Sequence, residues 1–173
     1  MSGAVVWMTG LPSSGKSTLA RVLLERLHEA GVGAALLDGD EVREAIVPTL
    51  GYTPAARDAF YLSLARFAAL LARQGLVVIV AATAHRRAWR AEARGLAPDF
   101  FEVHLDVPLE ECTRRDPKGL HARAARGEMA GLPGWDVSYQ VPEAPEFVAH
   151  GGRDAAALEQ IVARLQAGRR LRR

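Results

Sequence analysis

The sequence predicts an α/β fold, a central parallel sheet of about five strands with helices on both faces, and three observations support it. Short apolar runs rich in β-branched residues recur between segments of helical periodicity, the pattern of strands buried on both sides. A glycine-rich loop, GLPSSGKS, joins the first of these runs to the first helical segment. At 173 residues, 49% hydrophobic and 24% charged, the chain can build one well-buried core but not two comfortable ones, so a single domain over 1–173 is expected.

Four strands are read directly: AVVWMT from Ala4, GAALLD from Gly33, LVVIVAA from Leu76 and FFEVHLDV from Phe100. Between them Leu19, Val22, Leu23, Leu27 and Ala30 recur at helical spacing, as do Phe60, Leu64, Phe67, Ala68 and Leu71, each set marking one buried face. Thr53 before Pro54 reads as a helix start, and Asp154 as the N-cap of a last helix that Gly168 closes. From about 116 to 145 the chain is rich in Gly, Pro and small residues without a sustained period. A strand and a helix follow it, so this stretch is expected to be a mobile lid within the domain.

The loop Gly10–Ser17 matches G-x-x-x-x-G-K-[ST] and lies between a strand and a helix, the context that gives the pattern its meaning. Gly10 and Gly15 let the backbone curl so that successive N–H groups of Pro12-Ser13-Ser14-Gly15-Lys16-Ser17-Thr18 converge with the positive end of the helix. The proline itself contributes no donor. This arrangement cradles phosphates: Lys16 would reach the β and γ phosphates of ATP, and the Ser17 hydroxyl would be offered to Mg2+. A planar guanidinium would suit that cradle less well, which explains a lysine in a chain whose other cations, Lys118 apart, are arginines.

Asp38 and Asp40, in LLDGDEVR, stand at the carboxyl end of the second strand, where ligands bind in such sheets. One of them could hold Mg2+ through water, or accept the proton of an attacking hydroxyl. A helix-capping role accounts for one aspartate well and the pair less well.

Several classes are disfavoured. The formal charge is +2, arginine is scattered, and the basic tail 168–173 lacks interleaved aromatics, so no nucleic-acid partner is expected. No segment approaches the roughly 18 apolar residues of a membrane span, and the start MSGAVVWMTG has no cationic leader. Cys112 stands alone and reads as a small buried residue. A cytoplasmic protein is expected.

With GLPSSGKST, LLDGDEVR, FFEVHLDVPLEECTRRDPKGL and PEAPEF in view, the chain resembles the adenylyl-sulfate (APS) kinases from about Val5 to Phe147, and the RDPKGL segment is the most specific part. The resemblance implies a three-layer P-loop kinase fold and transfer of the γ-phosphoryl of MgATP to the ribose 3′-hydroxyl of APS. It implies that Asp40 activates that hydroxyl with Asp38 nearby, that Lys118 stands in the lid near the anionic groups, and that Arg115 lies against ATP. Arg43 and Arg57 would grip the acceptor's anionic groups, Tyr52 would stand where the family has a stacking Phe, and Tyr61 would line the acceptor site. A homodimer is compatible with it.

The departures point to a second reading. Phe60, Tyr61, Leu62 and Ser63 replace the family's Asn-Ile-Arg-Arg, and Phe60 belongs to the apolar face. Ala84 and His85 replace a phosphorylatable Ser-Pro, which excludes a phosphoserine there. The family's Tyr after KGL is His121. Leu132 takes the place of a Phe that stacks on adenine, with Trp135 as a replacement ring. Arg86, Arg87 and Arg90 gather at the end of the third strand, most of them expected in solvent. A kinase for another small anionic acceptor is the alternative, and a nucleotide-binding regulatory module without turnover is the third reading.

Overall fold

A computed structural model describes residues 3–170. Five parallel strands form one sheet in the order β2-β3-β1-β4-β5. They are β1 (Ala4–Gly10), β2 (Ala34–Asp38), β3 (Val77–Ala81), β4 (Phe100–Leu105) and β5 (Phe147–Ala149). The four strands read from the sequence are present, and the fifth follows the lid as expected. Helices α1 (Lys16–Glu29), α2 (Gly39–Ala45), α3 (Pro54–Arg73), α4 (Arg87–Leu96), α5 (Leu109–Arg115), α6 (Leu120–Ala125) and α7 (Ala155–Arg170) complete the chain.

Strand alternation sorts the core into two layers. Ala4, Val6 and Met8 of β1 join Phe101, Val103 and Leu105 of β4 beneath α1 and α7, with Leu19, Leu23, Leu27 and Ile161 closing that side. On the other face Val5, Trp7, Val78 and Val80 meet Phe60, Leu64, Ala68 and Ala72 of α3 and Trp89 of α4. Nearly continuous apolar strands are required because both faces are covered. Phe60 is 2% exposed, as its place on the apolar face predicted.

The helix ends follow local chemistry. The Thr53 side chain accepts from Ala56 N at 3.2 Å, with Pro54 in the first turn. Asp154 Oδ1 accepts from Ala157 N at 3.0 Å at the start of α7. Gly168 does not close that helix, which runs on through Arg170, because Gly168 keeps helical backbone instead of turning left-handed. Leu171–Arg173 of the basic tail lie outside the described residues.

The stretch 116–145 is more ordered than its composition suggested. Its first part is α6, too short at six residues to show a period. A tight loop follows, in which Asp136 Oδ2 accepts from Gly131 N at 2.6 Å and Oδ1 from Leu132 N at 2.7 Å. The chain then runs past His104 and Glu102 of β4 as a strap held by Arg87, Arg90 and Arg94. Arg90 is the one of the three arginines after β3 that is buried, at 3% exposure. Its Nε donates to Glu102 Oε1 at 2.7 Å, and its other nitrogens donate to Ala84 O at 2.5 Å and Gln140 O at 2.6 Å. A charge so buried requires a partner, and Glu102 on β4 supplies it. Arg86 and Arg87 are half-exposed, paired with Asp58 and Glu143.

Candidate active site

The carboxyl ends of the strands open into a cleft of about 1380 Å³, larger than most single-ligand pockets and roomy enough for two substrates. One end is the phosphate loop. Pro12, Ser13, Gly15, Lys16, Ser17 and Thr18 line it. Gly10 and Ser14 stand behind it: a Cβ on Gly10 would approach Leu105 O and Ser14 Oγ, each at 2.9 Å. Gly15 turns left-handed at φ 98°, and a side chain there would strike Gly152 N at 2.6 Å. Only glycine permits the β5–α7 loop to approach so closely.

Lys16 Nζ donates to the loop's own carbonyls, Gly10 O at 3.0 Å and Leu11 O at 2.7 Å. Burial of its ammonium pushes its pKa down to about 8, against the opposing pull of Cys112, Asp40 and Asp38. The Ser17 hydroxyl is hydrogen-bonded to Asp38 Oδ2, while Asp38 Oδ1 accepts from Asp40 N at 3.0 Å as the N-cap of α2. Asp38 therefore performs the capping task and also holds the loop's serine. A hydroxyl beside a carboxylate is the hard-oxygen surrounding Mg2+ prefers, and the Ser14 hydroxyl, buried without a partner, adds polarity behind the phosphate curl. The residues present fit a Mg2+–nucleotide.

The lid reaches the same point. Lys118 Nζ is hydrogen-bonded to Asp40 Oδ2 across the mouth of the cleft, and that contact raises the lysine's pKa. Arg115, paired with Glu111, lines the phosphate-loop end of the cleft beside Gly151.

Arg43, Tyr52, Arg57, Tyr61, Thr83, His85 and Leu132 line the other half. Arg43 is 7% exposed and fixes the α2–α3 loop, its Nη1 donating to Leu50 O at 3.0 Å and Gly51 O at 2.9 Å. Its guanidinium stacks 3.7 Å from the Phe60 ring and 4.6 Å from Tyr52, so Phe60 is both core and platform. Arg57 Nη2 donates to Gly131 O at 2.6 Å, tying α3 to the lid. Tyr61 is buried, stacked 4.3 Å from Trp89, and its hydroxyl accepts from Ala84 N at 3.1 Å. Leu132 is buried at 2% exposure against the cleft.

Trp135, the ring expected beside Leu132, is not among the residues that line the cleft. It is 49% exposed and stands outside the cleft lining, because the turn pinned by Asp136 directs Leu132 inward and carries the indole away. Sequence reasoning missed the loop 150–154, which lines the phosphate-loop end of the cleft. Its signal was the pair Gly151-Gly152, one residue beyond β5. It also missed Thr83 and Arg21. Among the described residues no group of His, Cys, Asp and Glu could hold a metal ion by itself, and no helix is long and apolar enough to cross a membrane.

The adenylylsulphate kinase family profile matches residues 2–150. The adenylyl-sulfate kinase of Paraburkholderia xenovorans is 44% identical over 152 residues, covering 87% of this chain and 85% of that protein. The bifunctional enzyme NodQ of Azospirillum brasilense is 44% identical over 165 residues, of which this chain spans only 27% of the relative's length. The Mycobacterium tuberculosis APS kinase CysC, solved in complex with AMPPNP and APS, superposes with a TM-score of 0.89 at 37% identity, over 95% of this chain and 98% of that one. With profile, relatives and architecture agreeing across most of its length, the chain belongs to the adenylylsulphate kinase family.

Proposed function

We propose that this chain is an adenylyl-sulfate kinase, moving the γ-phosphoryl of MgATP to the 3′-hydroxyl of APS to give 3′-phosphoadenylyl sulfate for sulfate assimilation. The observation that carries this reading is that one cleft joins a complete phosphate loop to the Asp38–Asp40–Lys118 set and an arginine-lined acceptor half. The set lies between donor and acceptor, the geometry that in-line phosphoryl transfer requires.

The protein's part is positioning and charge. Lys16 and the converging N–H groups of Ser13 to Ser17 hold the donor phosphates, while Asp38 orients Ser17. Ser17, with Asp38 or Asp40 through water, would hold the Mg2+ that arrives with ATP, and that ion would supply neutralisation of phosphate charge. Asp40 accepts the hydrogen bond, then the proton, of the acceptor hydroxyl as its oxygen approaches phosphorus. Lys118 leaves its resting place on Asp40 as that hydroxyl arrives and offers its ammonium to the transferring group. Arg43, Tyr52, Arg57 and Tyr61 shape the acceptor pocket, and the lid over about 116–145 excludes water. The reading carries with it a cytoplasmic setting, where ATP is supplied, and a homodimer as the assembly to test by light scattering.

A related kinase for another small anionic acceptor is the second reading, favoured by Leu132 where a stacking ring would be expected. Base stacking is worth roughly 1–3 kcal/mol. Purified protein with MgATP and, in turn, APS, nucleosides and sugar phosphates decides between them by coupled ADP release. The first reading expects release to depend on APS; release only with another acceptor supports the second, and release with none supports the regulatory module.

A further inference from the structure

The acceptor half contains a polar group to which the family resemblance assigns no role. His85 follows β3 and lines the cleft beside Arg57, Tyr61 and Thr83. It is 5% exposed, and its Nδ1 is buried without a hydrogen-bond partner. Buried polar nitrogens are normally paired with protein, water or ligand, so the ring of a residue that also lines the cleft retains unused hydrogen-bonding capacity.

The backbone that presents this ring is held at almost every polar atom. The Thr9 hydroxyl donates to Thr83 O at 2.6 Å, Tyr61 Oη accepts from Ala84 N at 3.1 Å, Arg90 donates to Ala84 O at 2.5 Å, and Gln140 N donates to His85 O at 2.8 Å. Ala84 itself is at φ 39°, a left-handed conformation costly for a residue with a Cβ. The imidazole stands edge-on to Trp89 with centroids 4.8 Å apart, which fixes its plane. Strain maintained by this many contacts is typical of a preorganised binding group.

The surroundings define the ligand's charge. Arg57, Arg86 and Arg90 all act on the ring, and with burial, the larger cause, they push its pKa down to about 4. It is therefore neutral near pH 7 and adds a directed N–H donor to a positive region without adding a further charge to it.

Resting on the kinase reading above, we propose that His85 is a specificity-determining residue of the acceptor half, donating an imidazole N–H to the tetrahedral anionic group of the acceptor. The family resemblance has proline at this place, which can donate nothing, so the contact belongs to this chain. It also balances Leu132: recognition given up at the base is regained at the anion.

Two variants and one spectrum test it. His85→Leu removes the donor at similar volume, and His85→Asn restores a neutral donor near Nδ1. His85→Leu is expected to raise KM for APS about tenfold, a difference of about 1.4 kcal/mol, with KM for ATP unchanged, and His85→Asn to recover most of that loss. Equal changes in both KM values, no change, or an asparagine no better than leucine would overturn the proposal.

A spectrum of the unaltered protein keeps the test independent of APS turnover. In a long-range 1H–15N spectrum of the imidazoles, assigned with His85→Asn, inorganic sulfate or phosphate should move the His85 signals saturably, and chloride at matched ionic strength should not. Silent His85 signals would overturn the anion site. If sulfate moves them while APS is not phosphorylated, the anion site stands and the adenylyl-sulfate kinase reading fails.

Discussion

Lys118 Nζ hydrogen-bonds the Asp40 carboxylate, joining the 116–145 stretch to the first turn of α2 across 78 residues of sequence. Both side chains are more than half exposed, so the pair adds little to stability. Its consequence is local: the lid's ammonium rests on the group read here as the acceptor base. Lys118→Met is expected to lower kcat on the order of a hundredfold, the scale of losing one transition-state donor. Lys118→Arg should lose less but remain clearly impaired, because a planar fork does not replace a compact charge. Steady-state rates at saturating MgATP and APS check both, and a fully active arginine variant would show that an ammonium is not needed.

Lys16 provides a pH signature. Its folded pKa, lowered to about 8 by burial, means that the free enzyme loses the phosphate-binding charge as pH rises through that value. The expected profile of kcat/KM for ATP falls on the alkaline side with an apparent pKa near 8, since that parameter reports the free enzyme. The stability effect has the opposite sense. Between about 8 and the ordinary 10.5 the unfolded chain binds more protons than the folded one, so this group makes stability rise with pH there. Lys16→Ala should abolish most turnover and remove the alkaline limb while the fold persists.

Arg90 carries the largest stability prediction. Its guanidinium is buried against Glu102, Ala84 O and Gln140 O. Arg90→Ala would remove the nearer cation of the Glu102 carboxylate, leaving Arg94 at 3.7 Å, and is expected to cost about 3 kcal/mol, the low end for breaking a buried pair. Urea unfolding measures it. The double change Arg90→Met with Glu102→Gln should cost much less, since no charge is left unpaired.

The sequence made much of this fold legible, for reasons visible residue by residue. The short apolar runs at Val5, Val77 and Phe101, too short for helices and set between helical segments, read as strands buried on both faces, and Thr53-Pro54 and Asp154 carry capping chemistry that acts locally. The phosphate loop was legible because its residue types are dictated by one neighbouring turn. What could not be read depends on distant partners. Arg90 is buried because Glu102 lies on a strand beyond the next helix, and α6 is too short for periodicity. The exchange of Leu132 for Trp135 at the cleft wall follows from how Asp136 turns the backbone, which spacing alone does not reveal.

Trp135 gives a complementary negative prediction. Half-exposed and outside the cleft lining, it should be replaceable by alanine with KM for APS and ATP each within about twofold, below about 0.5 kcal/mol. A rise confined to APS would place the indole on the acceptor.

The most direct test is 31P NMR of one reaction mixture holding purified protein, MgATP and APS. The expected result is loss of the γ-phosphate resonance of ATP matched by a new phosphomonoester on the 3′-oxygen of APS, abolished in Asp40→Ala. Inorganic phosphate as the sole product, or an unchanged spectrum with folded protein, would contradict the assignment of this cleft to phosphoryl transfer onto APS.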